Sequence, residues 1–335
     1  MKLTRVLVTG GAGYVGSLLV PQLLADGHEV TVYDTMYYGQ DFLPVQDPRL
    51  HVVTGDIRDA DLFGRTVTGH DAVIHLACIS NDASFELDED LSTSVNLHAF
   101  RPLVLAAKDA GVRRFIYASS SSVYGVSDSP DVTEEHPLVP LTLYNKYKGE
   151  CEPMLLEELT DDFVGVIIRP ATLCGYASRQ RLDLSVNILT NHGYNNGVVK
   201  VFGGSQMRPN LHVKDMVEAY RVLLAAEDDV IQGETFNCGF QNMSIAGIAE
   251  LVAQIVPRYR PELGELTIET SPSDDLRSYH VNSDKITRVL GFTPQFSVAD
   301  AIEDLCQAFS EGLLPDSFED TVYFNVRRMK ELNVR

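Results

Sequence analysis

Residues 2–16, KLTRVLVTGGAGYVG, join a short apolar run to three glycines spaced three residues apart. The run suits a buried strand of a parallel sheet, and apolar residues recur at helical spacing after the glycines. Gly10 permits a tight turn, Gly13 lets backbone N–H groups approach a pyrophosphate, and Gly16 lets the next helix lie close to the strand. The positive end of that helix then faces the anion. The segment therefore predicts a strand, a phosphate-binding turn and a helix.

An acidic residue, Asp34, ends the next apolar strand and falls 24 residues after Gly10. Dinucleotide-binding βαβ units carry an acid at about this distance, which binds the hydroxyls of the adenosine ribose. No Arg or Lys lies between Asp34 and Arg49 to bind a 2′-phosphate, so we predict NAD rather than NADP. The alternative, a glycine turn that binds no ligand, is disfavoured by the strand, helix and acid around it.

The composition is that of a globular protein, with 335 residues, 44% hydrophobic and 22% charged. A net charge of −20 argues against nucleic acid and anionic membranes as partners, because both require a clustered basic face. Five scattered cysteines without a CxxC pair indicate neither a disulfide framework nor a zinc site, so we expect no metal. The fold begins by Leu3 and no apolar run approaches the roughly 18 residues of a membrane span. We therefore expect a cytoplasmic protein.

Short apolar segments alternate with helical stretches up to about residue 170, which predicts an α/β fold with a doubly wound parallel sheet. The predicted strands are 5–9, 29–33, 51–54, 72–76, 114–118 and 163–168, and the predicted helices are 59–67, 91–110 and 144–159. Beyond Pro170 we predict helices at 182–191, 213–226, 245–256, 283–290 and 298–309 and strands at 198–202 and 234–237. We expect a Rossmann-type NAD-binding domain over 1–170 and a smaller, interleaved substrate-binding lobe over 171–335, with some segments returning to the first domain. Residues 314–335 receive no assignment.

Tyr144 and Lys148 stand four residues apart in LYNKYKGE, so on a helix their side chains share one face. Tyrosine, with an ordinary pKa of about 10, is a poor base at neutral pH, but a nearby ammonium or nicotinamide cation stabilises the phenolate. The pair could then take a proton from a carbinol as hydride leaves, or return it to a ketone. By itself, this spacing occurs often by chance, and in an arbitrary chain a surface tyrosine and lysine pair would be the better interpretation.

Four serines, Ser119 to Ser122, follow the strand predicted at 114–118, at the edge of the sheet where open α/β folds bind ligands. With these residues the chain resembles the extended short-chain dehydrogenase/reductase family, specifically its NAD-dependent nucleotide-sugar epimerases and dehydratases. The motifs that carry the resemblance are TGGAGYVG (9–16), Asp34, DI (56–57), HLA (75–77), SSSSVYG (119–125), Tyr144 with Lys148, RPATLCG (169–175) and RPNLHVKD (208–215).

The resemblance implies roles for the matched residues. Ser120 would hydrogen-bond the reacting sugar hydroxyl, Tyr144 would be the catalytic acid/base, and Lys148 would lower its pKa and hold the nicotinamide ribose. Arg208 would bind the diphosphate of a nucleotide sugar, a role that suits the bidentate guanidinium. Further substrate contacts would come from Ser121, Arg179 and Arg277. The residues that would bind NAD are Gly10, Gly13, Tyr14, Val15, Gly16, Asp34, Asp56, Ile57, Leu76, Ala77, Tyr144 and Lys148.

Ser121 and Ser122 depart from the 4,6-dehydratases of this family, which carry an Asp-Glu pair there to eliminate water. Serine hydroxyls cannot act as that acid and base at neutral pH. Without an acid and a base for elimination, only oxidation and reduction at C4 remain. This favours a 4-epimerase, with a 4-dehydrogenase or ketoreductase as the alternative. A dinucleotide-sensing protein without catalysis is a further alternative, but such relatives lack the tyrosine and lysine that this chain retains.

A second departure follows Arg169, where many epimerases have an asparagine that contacts the substrate phosphate and this chain has Ala171 and Thr172. The basic segment with Arg179 and Arg181 could supply substrate contacts instead. His75 and His212 are expected to have structural roles. The resemblance also implies a homodimer, formed through the helices predicted at 91–110 and 144–159.

Overall fold

The computed structural model describes residues 4–80, 82–127, 129, 131–273 and 278–334. Within these ranges the strands are β1 (Arg5–Thr9), β2 (Glu29–Asp34), β3 (Leu50–Thr54), β4 (Ala72–His75), β5 (Arg114–Ala118), β6 (Val164–Pro170), β7 (Thr172–Cys174), β8 (Val198–Phe202), β9 (Met207–His212), β10 (Thr235–Cys238), β11 (Gln241–Ser244) and β12 (Thr267–Ser271).

The α-helices in the same ranges are α1 (Gly16–Ala25), α2 (Ala60–Val67), α3 (Asp82–Phe85), α4 (Glu89–Thr93), α5 (Phe100–Asp109), α6 (Leu143–Leu156), α7 (Ser185–Asn196), α8 (Val213–Ala225), α9 (Asp228–Ile231), α10 (Ile245–Ile255), α11 (Asp284–Leu290), α12 (Val298–Ser310) and α13 (Asn325–Leu332). A π-helical turn, Ser94–His98, lies before α5, and a 3₁₀ turn, Ser121–Tyr124, follows β5. Further 3₁₀ turns are Val256–Arg258, Pro261–Leu263 and Thr321–Tyr323. None of the helices in the described ranges is both long and apolar enough to span a membrane.

The main sheet has the strand order β10-β6-β5-β4-β1-β2-β3, with neighbouring strands parallel throughout. The order reverses at β1, which pairs with β2 on one side and β4 on the other, so that Thr9 lies opposite both Tyr33 and His75. This doubly wound arrangement confirms the predicted fold class. The carboxyl ends of these strands meet at the switch point, which is where such sheets bind ligands.

Both faces of the main sheet are buried because successive strand residues point to opposite sides. Val6 and Val8 pack on one face with apolar residues of α1 and α8, whereas Leu7 packs on the other with residues of α2, α5 and α6. All three side chains are fully buried. This two-sided burial explains why the strands are continuous apolar runs in the sequence.

The smaller lobe contains a three-stranded sheet, β11-β9-β7, and a parallel pair, β12-β8. Residues of α7, α10 and α12 form its apolar core with those of β8, including Val186, Val199, Ile248 and Ile302. β10 follows residue 170 in the chain but pairs with β6 in the main sheet. The polypeptide therefore passes between the main sheet and the smaller lobe more than once.

The single helix predicted at 91–110 is wrong in one respect, because a π-helical turn separates α4 from α5. At this turn Asn96 makes two hydrogen bonds to the backbone of Ile79, at 2.8 and 2.9 Å. The wider turn directs the Asn96 amide toward the loop after β4, and π-helical turns occur frequently at functional sites.

Candidate active site

The glycine turn between β1 and α1 is packed against neighbouring backbone. Gly10 has a φ of 71°, and a Cβ there would lie 2.7 Å from the backbone nitrogen of Ala77. A Cβ on Gly13 would lie 3.1 Å from the Gly10 carbonyl oxygen, and one on Gly16 would overlap the backbone of Gly11. Side chains at these positions would therefore fill the turn. The bare backbone is what a phosphate cradle at a helix N-terminus requires.

Asp34, at the end of β2, is fixed on this turn. Its carboxylate accepts hydrogen bonds from the backbone N–H groups of Ala12 at 3.0 Å and Met36 at 2.9 Å. Burial raises the pKa of the Asp34 carboxyl. Each carboxylate oxygen can accept more than one hydrogen bond, so lone pairs remain for the hydroxyls of a ribose.

A cleft of about 650 Å³ runs from the glycine turn to the small lobe. Its lining contains each described residue that the sequence nominated for binding or catalysis: Gly10, Gly13, Tyr14, Val15, Gly16, Asp34, Asp56, Ile57, Leu76, Ala77, Ser120, Ser121, Tyr144, Lys148, Arg179 and Arg208. Arg277 lies outside the described residues. Among the residues that the structure describes, no three His, Cys, Asp or Glu side chains are grouped to hold a metal ion.

The serines after β5 form a hydrogen-bonded turn at the cleft wall. The Ser120 and Ser122 hydroxyl oxygens are 2.7 Å apart, and Ser122 donates to the side-chain oxygen of Asn145 at 2.5 Å. The Ser121 hydroxyl lies 3.5 Å from that of Tyr279, a buried residue of the small lobe. Hydroxyls at positions 121 and 122 are thus held by protein partners.

Beneath this turn lies a buried ion pair that the sequence analysis missed. Glu152 accepts two hydrogen bonds from Arg169, at 2.5 and 2.9 Å, and one from the Ser119 hydroxyl at 2.6 Å. Arg169 also donates to the Tyr124 hydroxyl at 2.7 Å. Glu152 lies four residues after Lys148 on α6. This spacing places both residues on one face of the helix and was the sequence signal by which Glu152 could have been found. The network fixes the start of the turn that carries Ser120.

Tyr144 and Lys148 both line the cleft from α6. The Lys148 ammonium donates to the Ala118 carbonyl at 2.7 Å and lies 5.2 Å from the centre of the Tyr117 ring. Burial raises the pKa of Tyr144, while the positive charge of Arg181 acts to lower it. Arg181 is therefore a cation near Tyr144 that the sequence did not assign to this role. The effect of Lys148 on the tyrosine stays a prediction for the protein with NAD bound.

The model of the NAD dependent epimerase/dehydratase family matches residues 6–239. The chain belongs to this family. It is similar to a UDP-glucose 4-epimerase of Mycolicibacterium smegmatis, with 31% identity over 322 residues that cover 91% of this chain and 98% of the relative. It is also similar to a dTDP-glucose 4,6-dehydratase of Streptomyces griseus, with 30% identity over 310 residues that cover 89% of this chain and 92% of the relative.

Among solved structures, the fold is similar to that of DesIV, a dTDP-glucose 4,6-dehydratase from Streptomyces venezuelae with NAD bound. The TM-score is 0.81 at 28% identity, and the match covers 95% of this chain and all of that one. These similarities confirm the predicted nucleotide-sugar group of the extended short-chain dehydrogenase/reductase family and its dependence on NAD. The protein is therefore an NAD-dependent enzyme.

The cleft fits NAD at several points. The glycine turn offers bare backbone to a pyrophosphate, and Asp34 has lone pairs for the adenosine ribose. Ile57 adds an apolar wall, whereas the Asp56 carboxylate is already paired with Arg58 at 2.6 Å. The roles of the individual residues remain predictions.

Two nominated residues have structural contacts of their own. The Tyr14 hydroxyl donates to the carbonyl of Gly175 at 2.6 Å, which ties the glycine turn to the segment after β7. Arg208, on β9, donates to the carbonyl of Met207 at 3.0 Å and lines the small-lobe end of the cleft together with Lys200. Of the two, Arg208 is the one that lies at the small-lobe end of the cleft.

The two histidines are packed into the structure. The His75 ring lies 2.7 Å from the Thr9 hydroxyl and stacks on Tyr117, and burial lowers the pKa of His75 to about 3. His75 is therefore neutral at physiological pH. His212 accepts a hydrogen bond from the backbone N–H of Lys214 and caps α8, as its expected structural role requires.

Proposed function

We propose that the enzyme is a nucleotide-sugar 4-epimerase. The observation that carries this proposal is the composition of one cleft wall, where Ser120, Tyr144 and Lys148 occur together and positions 121 and 122 are serines. The first three suit proton transfer at a carbinol. The two serines provide no acid/base pair for eliminating water.

The protein residues would act on the proton while bound NAD supplies the hydride acceptor and donor. The Tyr144 phenol, once ionised, takes the proton of the C4 hydroxyl, and Ser120 hydrogen-bonds the same oxygen. Lys148 holds the nicotinamide ribose and stabilises the phenolate. Rotation of the 4-keto sugar in the cleft then presents its opposite face for reduction, and Tyr144 returns the proton.

Arg208 and Lys200 would hold the nucleotide diphosphate during this rotation. Both line the small-lobe end of the cleft, and a guanidinium can bind a phosphate through two parallel hydrogen bonds. Firm binding of the diphosphate would leave the sugar free to turn. Arg277 stays a candidate for the same role.

The alternatives within this family are a 4-dehydrogenase or ketoreductase and a 4,6-dehydratase. The dehydratase has one observation in its favour, because Asp82 lines the cleft and its charge acts on Tyr144. Its carboxylate accepts a hydrogen bond from the Thr142 hydroxyl at 2.5 Å, which competes with a role as a base. We therefore retain the 4-epimerase.

The deciding experiment incubates the purified enzyme with UDP-, dTDP-, GDP- and CDP-sugars and follows anomeric protons by NMR and NADH by absorbance. New anomeric signals without NADH are expected for the epimerase. Loss of the C4 proton with NADH formation would instead identify a dehydrogenase. A 4-keto-6-deoxy product would contradict the proposal and identify a dehydratase.

We also propose that the enzyme is a homodimer in the cytoplasm. Leu105 on α5 and Leu156 on α6 are 37% and 38% exposed, and the two helices pack against each other. A second copy could cover these side chains in a four-helix contact. Light scattering should give a molar mass twice that of one chain, and Leu105→Glu should lower this mass to that of a single chain.

The proposed location in the cytoplasm is tested separately, by cell fractionation.

A further inference from the structure

Two arginines enter the cleft from the segment between β7 and α7, and both are buried. Arg179 is 3% exposed and Arg181 is 9% exposed. Within the described part of the chain, Nε of Arg179 and Nη2 of Arg181 have no hydrogen-bond partner. Buried polar groups are almost always paired, so two orphan guanidinium N–H groups in one cleft indicate an absent acceptor.

Arg179 lies beside the glycine turn. Its backbone N–H donates to the Ser17 hydroxyl at 3.2 Å, and Ser17 directly follows the last glycine of the turn. Its guanidinium stacks on the ring of Tyr38 at 3.8 Å, four residues after Asp34. Tyr38 lines the cleft near Asp34, so Arg179 lies toward the end of the cleft that contains the glycine turn and Asp34.

Arg181 lines the cleft beside the loop that follows β4. It donates to the Asp183 carboxylate at 2.8 Å and to the hydroxyl of Ser80, in the loop after β4, at 3.3 Å. Its charge acts on both Tyr38 and Tyr144. A dinucleotide that runs from Asp34 to Tyr144 along this cleft would therefore pass close to this guanidinium.

Asn325, the first residue of α13, holds the two arginines in place. Its side-chain oxygen accepts from Arg179 at 2.6 Å, its amide nitrogen donates to Ser80 at 2.8 Å, and its backbone N–H donates to Asp183 at 3.0 Å. Asn325 therefore links the partners of both guanidinium groups. It is 4% exposed.

The nearby carboxylates, Asp34 and Asp183, do not supply the absent acceptor, because in the described residues neither makes a hydrogen bond to Nε of Arg179 or to Nη2 of Arg181. What the two orphan donors require is a ligand with several acceptor oxygens, and the guanidinium charges favour one that is negatively charged. A diphosphate has this chemistry, and guanidinium groups bind it with short, charge-assisted hydrogen bonds.

We propose that Arg179 and Arg181 bind the diphosphate of NAD and that Asn325 is the positioning residue for both. Arg179 would then serve the cofactor, in place of the substrate contact that the sequence suggested. The proposal rests on the NAD dependence of the family and is independent of the reaction at C4. Since a nucleotide sugar also carries a diphosphate, the test must separate the two ligands.

The test compares Arg179→Gln and Arg181→Gln with the control Arg260→Gln in the full chain stripped of nucleotide. Arg260 also stacks on a tyrosine, Tyr194, at 4.9 Å, but it does not line the cleft. Calorimetry measures the Kd of NAD and of ADP-ribose, and the Kd of UDP with NAD saturating. Each of the two cleft variants should raise the Kd of NAD and of ADP-ribose about 10- to 100-fold, whereas the control should leave both values unchanged. The Kd of UDP should stay the same in all three variants.

Unchanged NAD and ADP-ribose affinities in folded variants would overturn the proposal. Weaker UDP binding with normal NAD binding would overturn it too, because the guanidinium groups would then belong to the substrate site. If a glutamine variant does not fold, Arg179→Lys and Arg181→Lys keep the charge and lose the orphan N–H groups. Their NAD affinities should still fall, and normal affinities would again count against the proposal.

The positioning role of Asn325 has its own readout. Asn325→Ala should weaken NAD binding more in the wild-type background than in Arg179→Gln, because the contact between Asn325 and Arg179 is already absent in the latter and only the contact to Ser80 remains to be lost. Additive losses in this double-mutant cycle would exclude coupling through Arg179. None of these measurements requires turnover, so a failed 4-epimerase assay would leave them interpretable.

Discussion

The Glu152 carboxylate lies against the Arg169 guanidinium, with 2.5 Å between Oε2 and Nη2, and both side chains are at least 93% buried. Breaking a buried pair leaves one charge without compensation. We expect Glu152→Gln to lower the free energy of unfolding by about 3 to 5 kcal/mol, measured by denaturant titration. The control is Glu150→Gln, since Glu150 forms an exposed pair with Lys146. This substitution should lower the free energy of unfolding by less than about 1 kcal/mol. Equal effects would show that the buried pair does not stabilise the fold.

Removal of the Tyr144 hydroxyl should affect turnover far more than cofactor binding. Tyr144→Phe is expected to reduce turnover about 10²- to 10⁴-fold, because general acid/base catalysis is lost. NAD affinity, measured by calorimetry, should stay within a few-fold of wild type. Tyr147→Phe is the matched control, since Tyr147 lies on the same helix, packs against Phe85 and does not line the cleft. Near-normal turnover in Tyr144→Phe would contradict the assigned role.

Asp34 should contribute to NAD affinity through the adenosine ribose. Asp34→Ala removes the proposed acceptor and also two hydrogen bonds to loop backbone. We expect an increase of about 10- to 100-fold in the Kd of NAD, as charged hydrogen bonds contribute roughly 1.5 to 3 kcal/mol each. Asp41→Ala, at an exposed site in the following loop, should leave the Kd unchanged. A Kd that is the same in both variants would argue against the ribose contact.

The buried His75 should make stability depend on pH. Burial lowers its pKa to about 3 from 6.5, so between these values the unfolded chain binds a proton that the folded protein does not. Stability therefore increases with pH across this window, with a contribution of about 1.4 kcal/mol per pH unit. Unfolding free energies measured between pH 4 and 7 should show a smaller slope in His75→Gln than in wild type. The control is the exposed His98→Gln, and equal slopes in the two variants would contradict the prediction.

The elements that the sequence predicted well are those with local patterns. β1 and β5 match the predicted strands end for end, because an apolar run bounded by polar residues is buried on both faces of the sheet. The glycine turn, Asp34 and the Tyr144–Lys148 pair were nominated because each depends on a fixed spacing, and all of them line the cleft, while their roles stay predictions. These residues share one cleft because of the order of the strands in the sheet. The resemblance to a known family was the guide to that order.

The features that the sequence did not predict depend on contacts between distant residues. The π-helical turn at Asn96 exists because its amide bonds to Ile79, and no apolar periodicity reports such a bond. Residues 314–335 received no assignment, yet Asn325 lies in the cleft through polar contacts to Arg179 and Ser80. Arg179 and Arg181 were recognised as a basic segment. Which end of the cleft they occupy became visible only in three dimensions.

The bond between Arg179 and Asn325 joins residues 146 positions apart in the chain. During translation, the main sheet and the glycine turn leave the ribosome long before Asn325 does. Until Asn325 has been synthesised, the two arginines lack the residue that links their partners. On our proposal, binding of NAD with full affinity would therefore require synthesis to have passed Asn325.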